Sequence, residues 1–120
     1  MPKLIASPTF IPSVGNIPKH ADEFVGLVNT GNHELSITHL QSPQGWIGVG
    51  QYADYREYRL VLGGVLHVEH SGGAFDVQAG QALDIAPGEW VRFSTPEGEG
   101  AVYVTVCMPA FSRAAVHRDA

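Results

Sequence analysis

Two charged residues in one short segment could carry acid–base chemistry. Glu57 and Arg59 are separated by a single residue within the strand-like segment 57–62. Because side chains on a strand alternate between its two faces, both residues project from the same face. If that face points inward, Glu57 could act as a general base and Arg59 could help to position a polar substrate. The alternative is a buried ion pair that neutralises itself and has only a structural role.

The same alternation predicts the surroundings of this pair. Gln51 and Ala53 precede it at spacings that place them on the face of Glu57, and Val91 and Phe93 would line the opposite wall. The predicted cavity therefore combines a carboxylate, a guanidinium and an amide with apolar walls. A few polar groups in an apolar pocket are typical of a small-molecule site. We expect Gln51, Val91 and Phe93 to contact the ligand.

Three further residues are candidates for this site. His39 lies near the end of the alternating segment 33–40. There it could act as an acid or base near neutral pH, or it could be a solvated residue at the rim. Tyr52 belongs to a group of aromatic residues that could stack on a ligand, or fill core or dimer contacts instead. Tyr103 could also line the pocket, although alternation does not decide which face of 102–106 points inward.

Short alternating segments separated by turns predict an all-β fold. Gly63-Gly64 predicts the turn of a hairpin. Only residues 19–24 and 112–116 are candidates for short helices. Strands at this spacing, with Gly, Pro or acidic residues between them, are typical of a sandwich or barrel. The candidate strands are 33–40, 57–62, 65–70, 74–77, 83–85, 90–93 and 102–106.

The length of the chain predicts one domain. It has 120 residues, of which 44% are hydrophobic and 16% charged, so it can bury a core. Residues 1–18 contain four prolines, and we expect them to form an extended arm ahead of a single domain at 19–120. Such an arm often packs on a neighbouring subunit, which favours a homodimer.

Charge and cysteine content exclude several classes of partner and site. The formal net charge is −5 and no basic run is present, so nucleic acids and anionic membrane surfaces are not expected partners. No apolar stretch is long enough for a signal peptide or a membrane helix, which predicts a cytoplasmic protein. The single cysteine, Cys107, excludes an internal disulfide and lies in an apolar run, where we expect a buried, unreactive thiol.

The glycine spacing around Glu57 resembles the first motif of the cupins, which are small jelly-roll barrels. That motif reads Gly, five residues, His-x-His, three or four residues, Glu, six residues, Gly. Here Gly45 is followed at the same spacings by Gln51, Ala53, Glu57 and Gly64.

A second stretch resembles the other cupin motif, in which a Pro-x-Gly turn precedes a His and an Asn. Gly80 is followed by Pro87-Gly88, with Val91 at the His position and Thr95 at the Asn position. The resemblance covers residues 45–110 and implies a double-stranded β-helix. The ending Pro109-Ala110-Phe111 is similar to that of some small bacterial cupins, which include ethanolamine-utilisation-type members.

The departures from the cupin pattern concern its metal ligands. Metal-binding cupins hold one divalent ion with the two His and the Glu of the first motif and the His of the second. Gln51, Ala53 and Val91 stand at the His positions here, and only Glu57 remains. Since a first-row metal needs several His or carboxylate ligands, the resemblance implies neither a metal nor another cofactor.

Residues and resemblance together predict a metal-independent cupin that binds a small polar metabolite in its barrel. Glu57, Arg59 and His39 would supply acid–base chemistry of the lyase, dehydratase or isomerase type. One alternative is a ligand-binding or sensor cupin without catalysis. A second is an atypical mononuclear metallo-cupin that uses Gln51, Glu57 and His39.

Overall fold

A computed structural model describes all 120 residues and contains eleven strands and one short 3-10 helix, Arg113–Ala115. The all-β prediction is therefore confirmed. No helix has the length and apolar character needed to span a membrane. In chain order the strands are β1 (Thr9–Phe10), β2 (His20–Val25), β3 (Ser36–Ser42), β4 (Trp46–Ile47), β5 (Gln51–Ala53), β6 (Arg56–His70), β7 (Gly73–Gln78), β8 (Ala82–Ile85), β9 (Val91–Thr95), β10 (Ala101–Met108) and β11 (Val116–Arg118).

The long strand β6 joins two antiparallel sheets. Its first half pairs with β10 and β8, and β10 continues through β3 and β2 to β1. Its second half pairs with β7 and β9, and β9 continues to β4 and to β5, which pairs with β11. The fold is thus a curled sheet in which one strand passes from one layer to the other.

The predicted hairpin turn at Gly63-Gly64 is wrong, because β6 runs through both glycines. The ladder to β10 shifts register between Val102 and Tyr103, so one residue of β6 bulges out at this point. Gly64 has φ +72°, and a Cβ there would lie 1.9 Å from the carbonyl oxygen of Gly100. The glycines therefore bend the strand and permit close backbone approach, rather than reversing the chain.

The bulge also changes which residues of β6 face inward. Glu57, Arg59 and Val61 are buried before it, whereas Leu66 and Val68 are buried after it. A single extra residue in a strand of period two moves every later side chain to the other face. The polar pair and the apolar residues of β6 therefore occupy the same interior.

The short helix predicted at residues 19–24 is wrong, because β2 occupies this stretch. His20–Val25 pairs with β3, and Ala21 and Glu23 are buried in alternation. Glu23 accepts hydrogen bonds from the backbone amides of Val28 and Asn29 at 3.0 and 2.9 Å, so it fixes the turn that follows the strand. The second helix candidate is a single 3-10 turn with Ser112 as its N-cap.

The arm lies along its own barrel. β1 pairs with β2, and the amide of Ile11 donates to the carbonyl of Ala21 at 2.9 Å. Ile11 and the next three residues, through Val14, line the interior cavity. The arm therefore does not cover the outer face of β6, where Leu60 and Leu62 remain 45% and 52% exposed.

The apolar core lies between the two layers and is continuous with the cavity. Both sheets contribute aromatic and aliphatic side chains to it. Its buried members are Ala21, Leu40, Trp46, Val61, Leu66, Val68, Val77, Leu83, Ile85, Val91, Phe93, Ala101 and Tyr103.

Candidate functional site

A cavity of about 100 Å³ opens inside the barrel. Both layers contribute to its wall, together with the N-terminal arm and the segment before β6. This volume is below the ~300–1,000 Å³ that is usual for drug-sized ligands, which favours a small ligand.

Glu57 and Arg59 form an ion pair in the wall of this cavity. They are 4% and 5% exposed, and Arg59 Nε donates a hydrogen bond to Glu57 Oε2 at 2.6 Å. The centre of the guanidinium lies 3.7 Å from the ring centroid of Phe93. Burial disfavours the charge on Arg59, but the adjacent Glu57 raises the pKa of Arg59 above its ordinary value. Arg59 is therefore a permanent cation inside the barrel.

Three residues that line the cavity carry a buried polar atom without a hydrogen-bond partner in the protein, namely Trp46 (Nε1), Arg59 (Nη1) and Thr105 (Oγ1). Arg59 and Thr105 stand directly opposite each other in the β6–β10 ladder. Buried polar groups are normally hydrogen-bonded, so two unpaired neighbours in one wall indicate a place where a polar ligand binds.

Cys107 and Tyr55 complete the surroundings of Glu57. Cys107 Sγ lies 3.8 Å from Glu57 Oε1, and burial together with the Glu57 charge raises the pKa of the Cys107 thiol to about 12. Burial, followed by the same charge, raises the pKa of Tyr55 well above its usual range. Both groups are therefore protonated at neutral pH, and neither is an activated nucleophile.

Lys19 is a member of this site that the sequence analysis missed. It lines the cavity from the segment ahead of β2, and its Nζ lies 4.3 Å from the ring centroid of Trp46. Burial lowers the pKa of the Lys19 amine to about 7, with a further lowering from Arg59 and Arg118 and an opposing effect from Glu57. Recognition of residues 19–23 as a strand would have placed Lys19 on the inward face with Ala21.

Gln51 and Phe93 line the cavity, as does the Glu57–Arg59 pair. Val91 and Tyr103 point inward but belong to the apolar core and do not line the cavity. Tyr103 Oη hydrogen-bonds Ser42 Oγ at 2.8 Å, and its ring lies 5.4 Å from the centre of the Arg59 guanidinium. Val91 and Tyr103 therefore pack behind the residues that line the cavity. Alternation identifies which residues point inward, but the curvature of the barrel decides which of these reach the cavity.

The structure places Tyr52 and His39 outside the cavity, which corrects their assignment to the site. Tyr52 is 44% exposed and stacks on His117 at a centroid distance of 4.7 Å. On β3, Thr38 and Leu40 line the cavity, so His39 between them faces the other way. The inward face of this strand begins with the buried Ser36, and the hydrophobic Ile37 lies on the outer face with His39.

The residues at the cupin metal positions do not fit a metal ion. Ala53 and Val91 supply no donor atom, and Glu57 already accepts a hydrogen bond from the Arg59 cation. No group of three or more His, Cys, Asp or Glu side chains is arranged to hold a metal. The alternative site of Gln51, Glu57 and His39 is not assembled, because His39 lies on the opposite face of β3.

Comparison with known proteins gives one curated relative. The endoribonuclease YbeY of Myxococcus xanthus is 30% identical over 102 residues, which are 84% of this chain and 34% of that protein. The chain therefore spans about a third of the length of this relative. No family model matches the chain.

Solved structures resemble the chain over nearly its whole length. Ethanolamine utilization protein Q of Salmonella typhimurium has a TM-score of 0.68 at 20% identity, over 87% of this chain and 97% of that one. Oxalate decarboxylase of Bacillus subtilis has a TM-score of 0.77 at 18% identity, over 95% of this chain and 30% of that one. The nucleoside dehydratase Pac13 of Streptomyces has a TM-score of 0.76 at 9% identity, over 99% of this chain and 90% of that one.

These three structures are cupin-fold proteins, and identities of 20% or less establish a common fold only. Their agreement with the two-layered barrel and its shared strand β6 shows that this chain has the cupin fold.

Proposed function

We propose that this barrel binds a small polar metabolite in its cavity and acts on it by metal-independent acid–base chemistry, with Glu57 as the proton acceptor. The supporting observation is the pair of unpaired buried donors, Arg59 Nη1 and Thr105 Oγ1, in the wall beside Glu57. A ligand with acceptor atoms would satisfy both donors and lie next to the carboxylate.

Within this proposal, the two oxygens of Glu57 have different roles. Oε2 is held by Arg59 Nε at 2.6 Å, whereas the only contact of Oε1 is the weak thiol donor of Cys107 at 3.8 Å. Oε1 therefore has the capacity to accept a proton, and the Arg59 bond fixes the orientation of the carboxylate. Removal of a proton from carbon or oxygen, and its return elsewhere, is the chemistry of a lyase, dehydratase or isomerase.

One solved relative supports an enzymatic role for such a barrel. Pac13 is described as a nucleoside dehydratase, and its structures include complexes with uridine. This likeness makes dehydratase-type chemistry compatible with the fold, while the substrate has to follow from the side chains of this chain. The endoribonuclease activity of the Myxococcus relative is not proposed here, because the chain spans only about a third of that protein.

A ligand-binding or sensor function without catalysis is the second candidate. Its support is the ion pair itself, because Arg59 neutralises the only carboxylate in the cavity wall and the pair could be purely structural. Binding without turnover distinguishes this candidate from the first.

The test begins with a metabolite library and thermal-shift measurements on the purified chain, followed by mass spectrometry of each binding compound after incubation. We expect at least one compound to raise Tm and to be converted. Glu57→Gln, which keeps an oxygen for Arg59, should retain binding and lose conversion, whereas Glu69→Gln on the surface should retain both. Binding without conversion supports the sensor alternative. A library with no binding compound contradicts the proposal.

A further inference from the structure

The charges around the cavity are opposite in sign to those of the whole chain. Lys19, Arg59 and Arg118 line the cavity, and Glu57 is the only acidic residue that does so. With Lys19 protonated, the lining carries three positive charges and one negative charge, in a chain of formal charge −5. Such a local reversal attracts anions and repels cations.

The geometry of the two free donors narrows the shape of the anion. The guanidinium of Arg59 stacks on Phe93 at 3.7 Å, so its hydrogen atoms point outward in the plane of the group. Nε donates to Glu57, and Nη1 is buried without a partner. Thr105, whose Oγ1 is also buried without a partner, is the residue of β10 that pairs directly with Arg59. Two neighbouring donors suit a group with two acceptor oxygens.

We propose that the ligand of this cavity is a small organic acid, whose carboxylate is bound by Arg59 Nη1 and Thr105 Oγ1 with Lys19 as the additional cation. This inference rests on the proposed function and adds the chemical class of its ligand. A single carboxylate is favoured over a phosphate dianion because Glu57, held against the same guanidinium, would repel the second negative charge.

Lys19 should couple ligand binding to the uptake of a proton. Its amine faces Arg59 and Glu57 from β6 and Arg118 from β11, with Tyr55 and Cys107 also in the wall. A bound carboxylate would offset the repulsion from the two arginines and favour the protonated amine. Binding near neutral pH should therefore take up a proton from the buffer.

The experiment compares acids with their neutral amides by isothermal titration calorimetry. Acetate, lactate and succinate are each paired with acetamide, lactamide and succinamide, and inorganic phosphate is added as a separate probe. We expect at least one acid to bind about tenfold or more tightly than its amide, since a charge-assisted bond is replaced by a neutral one. Titrations in buffers of different ionisation enthalpy should show net proton uptake for that acid near pH 7.

Three variants assign the effect to residues. Thr105→Val keeps the shape of the side chain and should weaken the acid but not the amide, and Lys19→Met should abolish proton uptake. Lys3→Met, at an exposed position of the arm, should change neither. Retained selectivity in Thr105→Val and retained proton uptake in Lys19→Met would show that these residues are not the binding groups.

The remaining outcomes separate the inference from the proposed function. Equal affinity for acids and amides, no binding by any acid, or tighter binding of phosphate than of every acid would each overturn the organic-acid inference. The proposed function would survive these results if the metabolite library yields a neutral ligand that is converted. It fails when no compound of any charge binds in the cavity, or when the compounds that bind are not converted.

Discussion

Arg59 Nε lies 2.6 Å from Glu57 Oε2, and both side chains are almost completely buried, two residues apart on β6. Each charge is acceptable in the interior because the other is present. Loss of one partner leaves an uncompensated charge, whose cost in a buried site is about 3–5 kcal/mol. The same contact that orients Glu57 for chemistry therefore also contributes to the stability of the barrel.

Glu57→Leu should be strongly destabilising for this reason. We expect the free energy of unfolding in urea to fall by about 3–5 kcal/mol, because Arg59 loses its partner while remaining in the apolar interior. Glu57→Gln should cost less, since its amide oxygen can still accept the Arg59 bond. The matched control is Glu69→Leu, which removes one partner of the exposed Arg92 pair and should leave stability nearly unchanged. Equal losses at positions 57 and 69 would contradict the interpretation.

Much of the site follows from the alternation of a strand. Glu57, Arg59 and Phe93 reach the cavity because their segments have a regular period of two and the inward face is consistent along each of them. Thr105 and Cys107 share the face of Tyr103, so a single correct assignment of that face identifies them all. The inward orientation of these side chains depends on the regular geometry of each strand, which the sequence of that strand alone can predict.

The parts that were missed depend on contacts between distant segments. Gly64 has the local composition of a turn, but its conformation serves a close approach to Gly100, far away in the chain. His39 was expected near the pocket, yet the inward face of β3 carries Ser36, whose hydroxyl accepts a hydrogen bond from the Phe111 amide, and Thr38, which lines the cavity. Lys19 follows a proline-rich arm, and only the pairing of β2 with β3 places it in the barrel.

Gly64→Ala tests the role of the bend in β6. Residue 64 has φ +72°, and an added Cβ would meet the Gly100 carbonyl oxygen at 1.9 Å. Backbone strain of this kind costs about 1–3 kcal/mol, and the overlap with a backbone atom adds to it. We therefore expect unfolding by urea at a much lower concentration than in the wild type. Gly63→Ala is the control, because no atom lies within 4 Å of its added Cβ. Similar urea midpoints for the two variants would show that the bend in β6 does not require glycine at position 64.

Lys19 should make stability depend on pH in a defined direction. Burial, with Arg59 and Arg118, lowers its pKa from 10.5 to about 7 in the folded chain. Between these values the unfolded chain binds the proton and the folded chain does not, so stability attributable to this group rises with pH. Below about pH 7 both states are protonated, and the unfavourable contribution of the buried cation is constant.

Urea unfolding of the wild type and of Lys19→Met at a series of pH values isolates this contribution, because groups common to both proteins cancel in the difference. Relative to the variant, the wild type should gain stability as the pH is raised from 7 towards 10. Glu57, Arg59 and Arg118 face the amine and are present in both proteins. A difference that is constant over this range would show that the amine has an ordinary pKa.

The outer face of the first sheet predicts self-association. Tyr58, Leu60, Leu62 and Met108 are exposed on this face, and Leu60 pairs directly with Val104 in the β6–β10 ladder, so the apolar side chains are contiguous. The arm does not cover them, since it lines the cavity instead. At the margin, Arg56 and Asp84 form a 2.7 Å ion pair, so the face presents both signs of charge and two copies can pack without like-charge repulsion. A contiguous apolar face of this kind favours a homodimer.

Leu60→Glu should prevent the predicted dimer from forming, because a carboxylate would then be buried without a partner at the centre of the interface. Sedimentation velocity of the wild type and the variant at matched concentrations measures the change. Val28→Glu is the matched control, since Val28 is an exposed apolar residue in the turn after β2 and lies away from this face. We expect a dimer for the wild type and for Val28→Glu, and a folded monomer for Leu60→Glu. A monomeric wild type at all concentrations would assign this face to another partner or to solvent, and the homodimer prediction would be wrong.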